Sequence, residues 1–290
     1  MPGEQSHMTL RIEKAKGIGF CFGVRRALNI LEKAAHEHGM VETLGAIVHN
    51  QSVLDRLSSL GVRIANRVDD IQGNVVAISA HGVSPQIEQE IRSRHINIIN
   101  TTCPFVHRAQ IAARRLAKAS FFVIVYGDAH HPEVKGVLGW AGDTGIATVD
   151  VSSVTGLKPL PRRLGILSQT TQIPAHFNEF TKQVIGHTLG KDSELRIVDT
   201  ICHDIRERQS QALKSAHRAS LMLVIGGHNS ANTNRLAQLC SEVTKTYLIE
   251  TASEIQPSWL KGKHHIGITA GASTADETID EVIARLKLVT

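Results

Sequence analysis

Three cysteines each open a stretch with helical periodicity, and these stretches decide the fold: CFGVRRALNILEKAA (21–35), CPFVHRAQIAARRLAKA (103–119) and CHDIRERQSQALKSA (202–216). Apolar residues stand three, ten and fourteen positions after every one of these cysteines. This spacing forms one apolar stripe along an α-helix, whose other face carries mostly Arg, Lys, Glu and Gln. The stripes consist of Val24, Leu31 and Ala35, of Val106, Ala113 and Ala117, and of Ile205, Ala212 and Ala216.

Working outward, the same order of strands and polar loops surrounds each cysteine. The strand-like runs INII and LRIV precede Cys103 and Cys202, whereas RIEKA and a glycine-rich turn precede Cys21. After each helix come a strand and a polar cluster at His49, His131 and Ser230, always 28 residues past the cysteine (49 − 21, 131 − 103, 230 − 202). A third strand, VVAIS, LGILS or HIGIT, then leads to a second polar loop. Three equal spacings favour duplication over chance.

Alternating strands and helices predict an α/β protein of three small, pseudo-threefold-related domains with mostly parallel sheets. Parallel sheets present binding loops at the carboxyl ends of their strands, and every polar loop here follows a strand. We therefore expect the three domains to surround a central polar site. The predicted limits are a flexible tail at 1–9, domain 1 at 10–102, domain 2 at 103–194 and domain 3 at 195–290.

Composition narrows the function classes. The formal net charge is +5 (32 − 27), but no run of five Lys or Arg occurs and aromatic residues are 4%, which disfavours nucleic acid as a partner. The longest apolar run, Phe121 to Tyr126, is strand-sized, and the first eight residues lack the apolar core of a secretory signal. Because no apolar run is long enough for a membrane span, we expect no membrane contact. Four cysteines among 290 residues are too few for a disulfide framework, so we expect a reducing cytoplasm.

The repeated cysteines indicate a metal centre. Cys21, Cys103 and Cys202 stand at equivalent strand-to-helix junctions, where amide dipoles favour a thiolate. Three thiolates suit either zinc with a fourth ligand or an iron–sulfur cluster, and the spacings of 82 (103 − 21) and 99 (202 − 103) residues do not distinguish them. Cys240, inside the helical pattern NRLAQLC, fits a small buried hydrophobe instead.

The polar loops suit an anionic ligand. His49, His81, Ser230, Asn232 and Ser273 are short donors near backbone amides, as phosphate or diphosphate requires. Ordinary helix capping explains any one of them equally well, and their recurrence in the repeat favours binding. Neither the dinucleotide fingerprint nor a P-loop is present in the sequence, so redox chemistry would need electrons from elsewhere.

Glu133, within HHPEVKG, is a candidate general acid beside the anion site, with His131 able to relay a proton. The alternative is a surface glutamate that stabilises the start of a helix. On this motif alone, the surface interpretation is slightly favoured.

At these residues the sequence resembles the 4-hydroxy-3-methylbut-2-enyl diphosphate reductases of the LytB/IspH family. The resemblance runs in order from Gly19 to Ser273 and covers nearly the whole folded chain. The matching motifs are GFCFGVRRA, IVHN, SAHGVS, TTCPFVHRA, HHPEVKG, SQTTQ, DTICHDIRERQ, NSANTNRL and TAGAS.

The resemblance implies three α/β domains around a central 4Fe-4S cluster held by Cys21, Cys103 and Cys202. The substrate alcohol would bind the open iron, and two electrons and two protons would release water to give isopentenyl and dimethylallyl diphosphates. Glu133 would donate the proton, with His131 beside it and Thr170 contacting the substrate hydroxyl. The residues implied for diphosphate binding are His49, His81, Ser230, Asn232 and Ser273.

Two further points follow from the resemblance. Some family members have a second serine where this chain has Ala231, and we expect little loss, since its N–H can still bind phosphate. Reduced flavodoxin or ferredoxin would deliver the electrons, which explains the missing nucleotide motifs.

The rival hypothesis is a non-catalytic, metal-stapled protein that binds a phosphorylated ligand, with zinc in place of the cluster.

Overall fold

The structure is a computed structural model that describes residues 10–48, 50–142, 144–188, 190 and 192–289, and only the backbone of Ser52. The strands, in chain order, are β1 (Arg11–Lys14), β2 (Val41–Leu44), β3 (Val62–Ala65), β4 (Val75–Ile78), β5 (Asn97–Asn100), β6 (Phe122–Tyr126), β7 (Gly145–Thr148), β8 (Arg163–Ser168), β9 (Glu194–Val198), β10 (Leu221–Ile225), β11 (Thr246–Ile249) and β12 (His265–Ala270). The α-helices are α1 (Phe22–His38), α2 (Gln51–Ser59), α3 (Pro85–Ser93), α4 (Pro104–Lys118), α5 (Pro132–Gly139), α6 (Val151–Thr155), α7 (Pro174–Thr188), α8 (His203–Ala216), α9 (Ala231–Ser241), α10 (Pro257–Leu260) and α11 (Asp276–Val289).

The strands form three four-stranded sheets in which every pair is parallel. The first sheet has the order β3-β2-β4-β5, the second β7-β6-β8-β9 and the third β11-β10-β12-β1. Adding four to each strand number of the first sheet gives the order of the second, and adding four again gives the order of the third, where β1 takes the outer place. The predicted set of three small α/β units with parallel sheets is thus confirmed.

Strand pairing groups the chain differently from the predicted domain limits at two strands. β1, assigned to domain 1, pairs with β12 of the third sheet. β9, assigned at the start of domain 3, pairs with β8 of the second sheet. In each case the strand that precedes a cysteine forms an outer strand beside the third strand of another repeat's sheet. A crossover through α7 leads from β8 to β9, whereas β1 joins β12 from the other end of the chain.

The chain divides into two compact units. The central unit is Phe22–His203 and holds the first and second sheets. The terminal unit joins the segment that ends at Cys21 to the chain from Asp204 onward, and it holds the third sheet.

Helices cover both faces of the inner strands, as parallel sheets require. All five residues of β10 are fully buried. Met222 and Val224 pack against α8 and α9, while the alternate residues face α11. Cys240 lies fully buried in the first of these clusters, and burial raises the pKa of its thiol to about 12. No helix in the described part of the chain is long and apolar enough to cross a membrane.

Candidate active site

The three predicted ligand cysteines occupy the same place in the repeat. Each immediately precedes a helix: Cys21 precedes α1, Cys103 precedes α4 and Cys202 precedes α8. Each backbone N–H donates to the carbonyl two residues past the end of a sheet's third strand. These bonds are Cys21 to Ala272 (2.9 Å), Cys103 to Ala80 (3.0 Å) and Cys202 to Thr170 (2.9 Å). The equivalence predicted from sequence spacing therefore extends to the backbone contacts of the cysteines.

The chemistry of these thiols fits an iron–sulfur cluster. The cysteines form no disulfide in the described residues, and helix N-termini stabilise thiolates. Cys21 belongs to the terminal unit, whereas Cys103 and Cys202 belong to the central unit. Among the described residues, no three His, Cys, Asp or Glu side chains form a ready-made metal site. The three equivalent cysteines are of the residue type that an iron–sulfur cluster needs, whereas the fourth cysteine, Cys240, is deeply buried in the core. The residue types therefore fit a cluster held by Cys21, Cys103 and Cys202.

Glu133 is a buried carboxylic acid, with only 2% of its surface exposed, and this excludes the surface-glutamate interpretation. It lies in the first turn of α5. Thr170 binds both of its carboxyl oxygens: the backbone N–H donates to Oε1 (2.6 Å) and the hydroxyl Oγ1 donates to Oε2 (2.9 Å). Since the carbonyl of the same Thr170 accepts the amide of Cys202, one loop connects the acid to a predicted cluster ligand.

Two predicted histidines lie against this acid. His131 caps α5, and its Nδ1 accepts the backbone N–H of Glu133 at 3.1 Å. An accepting Nδ1 places the proton of a neutral imidazole on Nε2, which can then donate to a ligand. The ring of His81 stands edge-on to that of His131, with 5.3 Å between centroids. The central unit therefore brings His81, His131, Glu133 and Thr170 close together.

A cavity of about 560 Å³ opens beside His81 at the carboxyl ends of β2, β3 and β4. Apolar side chains such as Val68 and Ile87 line it together with the charged Arg67 and Lys135. Sequence reasoning missed this cavity: the motifs SAHGVS and HHPEVKG supply part of its wall, but the rest comes from the loops after β2 and β3, which carry no recognisable motif.

The predicted anion ligands of the terminal unit divide into two kinds. Ser230 caps α9, and its hydroxyl accepts the N–H of Thr233 at 3.3 Å, so the capping alternative holds for this residue. Asn232 is 7% exposed, and its buried Nδ2 has no hydrogen-bond partner among the described residues. Ser273 lies half-buried in the loop that follows β12. A buried amide donor without a partner is costly unless a ligand completes it, which favours an anion here.

His49 lies outside the described residues, so its predicted role stays a prediction. The next residue, Asn50, caps α2 by accepting the N–H of Val53 at 3.1 Å. The cap of the first repeat therefore comes one residue later than His131 and Ser230, which hold this position in the other two.

Comparison with known proteins agrees over nearly the whole chain. The family model described as LytB protein matches residues 12–287. A 4-hydroxy-3-methylbut-2-enyl diphosphate reductase of Dehalococcoides mccartyi strain CBDB1 is 59% identical over 277 residues, covering 96% of this chain and 98% of that protein. The reductase of the same name from Geobacter sulfurreducens is 41% identical over 280 residues, covering 96% and 97%.

Solved structures show the same fold. One, described as (E)-4-hydroxy-3-methyl-but-2-enyl diphosphate reductase, the terminal enzyme of the non-mevalonate pathway, is 36% identical with a TM-score of 0.68 and covers 97% of this chain and 100% of that one. The Plasmodium falciparum E-1-hydroxy-2-methyl-but-2-enyl-4-diphosphate reductase, 24% identical, is similar in fold with a TM-score of 0.87, covering 97% and 88%. With its family model, relatives and fold in agreement, the chain belongs to the LytB protein family.

Proposed function

We propose that this chain catalyses the reductive dehydroxylation of 4-hydroxy-3-methylbut-2-enyl diphosphate, the last step of the methylerythritol phosphate (non-mevalonate) route to isoprenoids. Two electrons and two protons break the C–O bond, release water and give isopentenyl or dimethylallyl diphosphate. The observation that carries the proposal is the buried Glu133, held at both carboxyl oxygens by Thr170, whose carbonyl accepts the amide of Cys202. Family membership supports the enzyme over the binding protein.

In this proposal Cys21, Cys103 and Cys202 hold a 4Fe-4S cluster. When bound, the cluster supplies the two electrons one at a time. Reduced flavodoxin or ferredoxin is the proposed donor, because the chain has no nucleotide motif of its own. A cluster that depends on cysteine thiolates needs a reducing compartment, so we place the protein in the cytoplasm.

Glu133 supplies the proton that converts the substrate hydroxyl into water. An alcohol is a poor leaving group, and a positioned acid near it lowers that barrier. Thr170 keeps both carboxyl oxygens of Glu133 in place. We propose that its hydroxyl also contacts the substrate oxygen. His131 carries its imidazole proton on Nε2 while Nδ1 is occupied, so it can donate to substrate or relay a proton to the acid.

In this proposal the diphosphate is held by uncharged donors and histidines. His81 and His131 contribute from the central unit, with His49 as the third proposed histidine. Ser230, Asn232 and Ser273 contribute from the terminal unit. The Nδ2 of Asn232, which has no hydrogen-bond partner within the described part of the chain, is the strongest single support for an anion there, since a bound anion would accept from this buried donor.

Turnover with an artificial reductant tests the proposal directly. The protein is purified without oxygen, reconstituted with iron and sulfide, and given substrate and excess dithionite-reduced viologen. We expect a brown protein that forms both isoprenoid diphosphates, which mass spectrometry separates from substrate. A brown protein without product contradicts the proposed reaction. A colourless zinc protein that binds substrate and forms no product supports the rival binding function.

A further inference from the structure

The loop before each cysteine is fastened to the last carbonyl of a sheet's third strand. In the central unit a threonine two residues before the cysteine makes this bond. Thr101 Oγ1 donates to the carbonyl of Ile78, which ends β4, and Thr200 Oγ1 donates to the carbonyl of Ser168, which ends β8. Both threonines are fully buried. The hydroxyls thus hold the Cys103 and Cys202 loops against their sheets.

The Cys21 loop has no such hydroxyl, because Gly19 stands at the equivalent position two residues before the cysteine. Its φ of +92° favours glycine, and a Cβ there would lie 2.4 Å from Oδ1 of Asp276. The positive φ would strain a threonine at this position, so a side-chain connection to this loop has to come from another residue.

Arg208 makes the missing connection. Its Nη1 donates to the carbonyl of Ala270 at 3.1 Å, and its Nη2 donates to the carbonyl of Gly19 at 2.9 Å. Ala270 ends β12 and is the counterpart of Ile78 and Ser168, since the residue two positions later in each loop accepts a cysteine amide. One guanidinium, 5% exposed, therefore joins the strand end and the cysteine loop that a threonine joins elsewhere.

Arginines also reach the other two loops, but there they add to a threonine. Arg26 donates to the carbonyls of Thr101 (3.4 Å) and Thr102 (3.2 Å), and it is partly exposed. The exposed Arg108 donates to the carbonyl of Asp199 at 3.2 Å. Removing either arginine leaves the threonine bond in place, whereas removing Arg208 takes away both of its side-chain bonds to this region and leaves the backbone bond from Cys21 to Ala272. The loss should therefore be largest at Arg208.

We propose that Arg208 is the positioning residue of Cys21: it replaces the buried threonine hydroxyl that the Gly19 backbone excludes and sets the place of that thiol. The inference rests on the proposed function in taking Cys21 as a cluster ligand. Arg208 does not touch the reacting atoms, and its effect passes through the cysteine loop.

The test measures each cysteine separately. Full-length protein, stripped of iron without oxygen, is treated with iodoacetamide at pH 8, and peptide mass spectrometry gives the alkylation rate of each thiol. We expect Arg208→Met to accelerate alkylation of Cys21 about tenfold, the effect expected from losing hydrogen bonds made by a charged donor, with Cys103 and Cys202 unchanged. Arg208→Lys should give a smaller acceleration than Arg208→Met, because an ammonium still donates to one carbonyl. It should not match the wild type, since it lacks the planar fork that reaches two carbonyls.

Thr101→Val is the matched control. It should accelerate alkylation of Cys103 and leave Cys21 at the wild-type rate. Two parallel measurements are made on the holoenzyme: its electron paramagnetic resonance spectrum and its rate of iron loss to a chelator. Both should change more in Arg208→Met than in Arg26→Met.

Two results overturn the inference: an unchanged Cys21 rate in Arg208→Met, or equal acceleration at all cysteines including the buried Cys240, which would mean general unfolding. Alkylation needs neither cluster nor catalysis. If the wild-type protein takes up iron but does not turn over, the proposed function fails while the alkylation pattern still decides the role of Arg208.

Discussion

The first turns of α5 and α9 are equivalent in the repeat, yet they carry opposite chemistry. Helix α5 presents the acid Glu133, whose carboxyl oxygens both have partners, whereas α9 presents the amide Asn232 at the same position, with its Nδ2 unpaired among the described residues. The reason lies in the opposing loop. Thr170 offers a hydroxyl to Glu133, and the residue equivalent to Thr170 in the third sheet is Ala272, which has none. In the proposed function, equivalent positions of the repeat therefore serve proton donation in one case and ligand binding in the other.

Glu133→Gln should produce the largest effect, because it converts the α5 site into an amide site like that of α9. Glutamine keeps the shape and cannot supply an acidic proton. We expect turnover to fall ~10²–10⁴-fold, with iron content and substrate affinity nearly unchanged. Turnover is measured with excess artificial reductant so that electron supply is not limiting. Near-normal turnover would falsify the role of Glu133 as proton donor and assign the proton to His131 or to the substrate diphosphate.

Thr170→Val removes the hydroxyl that distinguishes the two sites and keeps the backbone N–H that binds Oε1. We expect kcat to fall about 10–30-fold, since the hydrogen bond that orients the carboxyl group is lost and the acid gains freedom to turn. Thr170→Ser restores the hydroxyl and should recover most of the activity. If the serine and valine variants lose equal activity, the hydroxyl plays no part and only the packing of the side chain matters.

Asn232→Ala tests whether the side-chain amide of Asn232 on α9 donates a hydrogen bond to the substrate diphosphate. Loss of a donor to the diphosphate should weaken substrate binding about tenfold, measured by calorimetry under nitrogen. The matched control is Asn234→Ala, whose Nδ2 already donates to the carbonyls of His228 (2.6 Å) and Ser230 (3.0 Å). The control should lose stability and keep affinity, and a reversal of this pattern removes Asn232 from the binding site.

Ser230→Ala should have the smallest effect and separates capping from binding on α9. Its hydroxyl already accepts the N–H of Thr233, so we expect a loss of ~1 kcal/mol in the free energy of unfolding, measured by urea denaturation. Ser230→Asp keeps a capping oxygen and should recover stability, while its negative charge should repel the diphosphate. If the aspartate variant binds substrate as well as wild type, Ser230 acts only as a cap.

The sequence predicted the repeat well, because its signals are local. A cysteine followed by an apolar stripe marks the start of a helix, and α1, α4 and α8 begin one residue after Cys21, Cys103 and Cys202. Strand pairing is not local: nothing in RIEK shows that β1 joins β12 at the other end of the chain. The predicted domain limits rested on sequence order, and order alone does not choose the sheet for an edge strand.

For the site residues too, the sequence indicates which side chains have suitable donors but does not show which groups those donors bind. Sequence could select Ser230 and Asn232 as donors, but capping and ligand binding use the same atoms, and only the hydrogen-bond partners separate them. Thr101, Thr200 and Arg208 were missed altogether. A comparison of the residues two places before each cysteine, Gly19, Thr101 and Thr200, holds the signal that could have found them.

The pairing of β1 with β12 also sets a time order for biosynthesis. Arg11 to Lys14 leave the ribosome first, but their partners from His265 to Ile268 are made about 250 residues later, which at ~5–20 residues per second is a delay of ~13–50 s. The carbonyl of Ala272 that accepts the Cys21 amide arrives just as late. The Cys21 loop therefore cannot be completed before residue 272 is made, and in the proposed function the assembly of a cluster on Cys21 has to follow that point of translation.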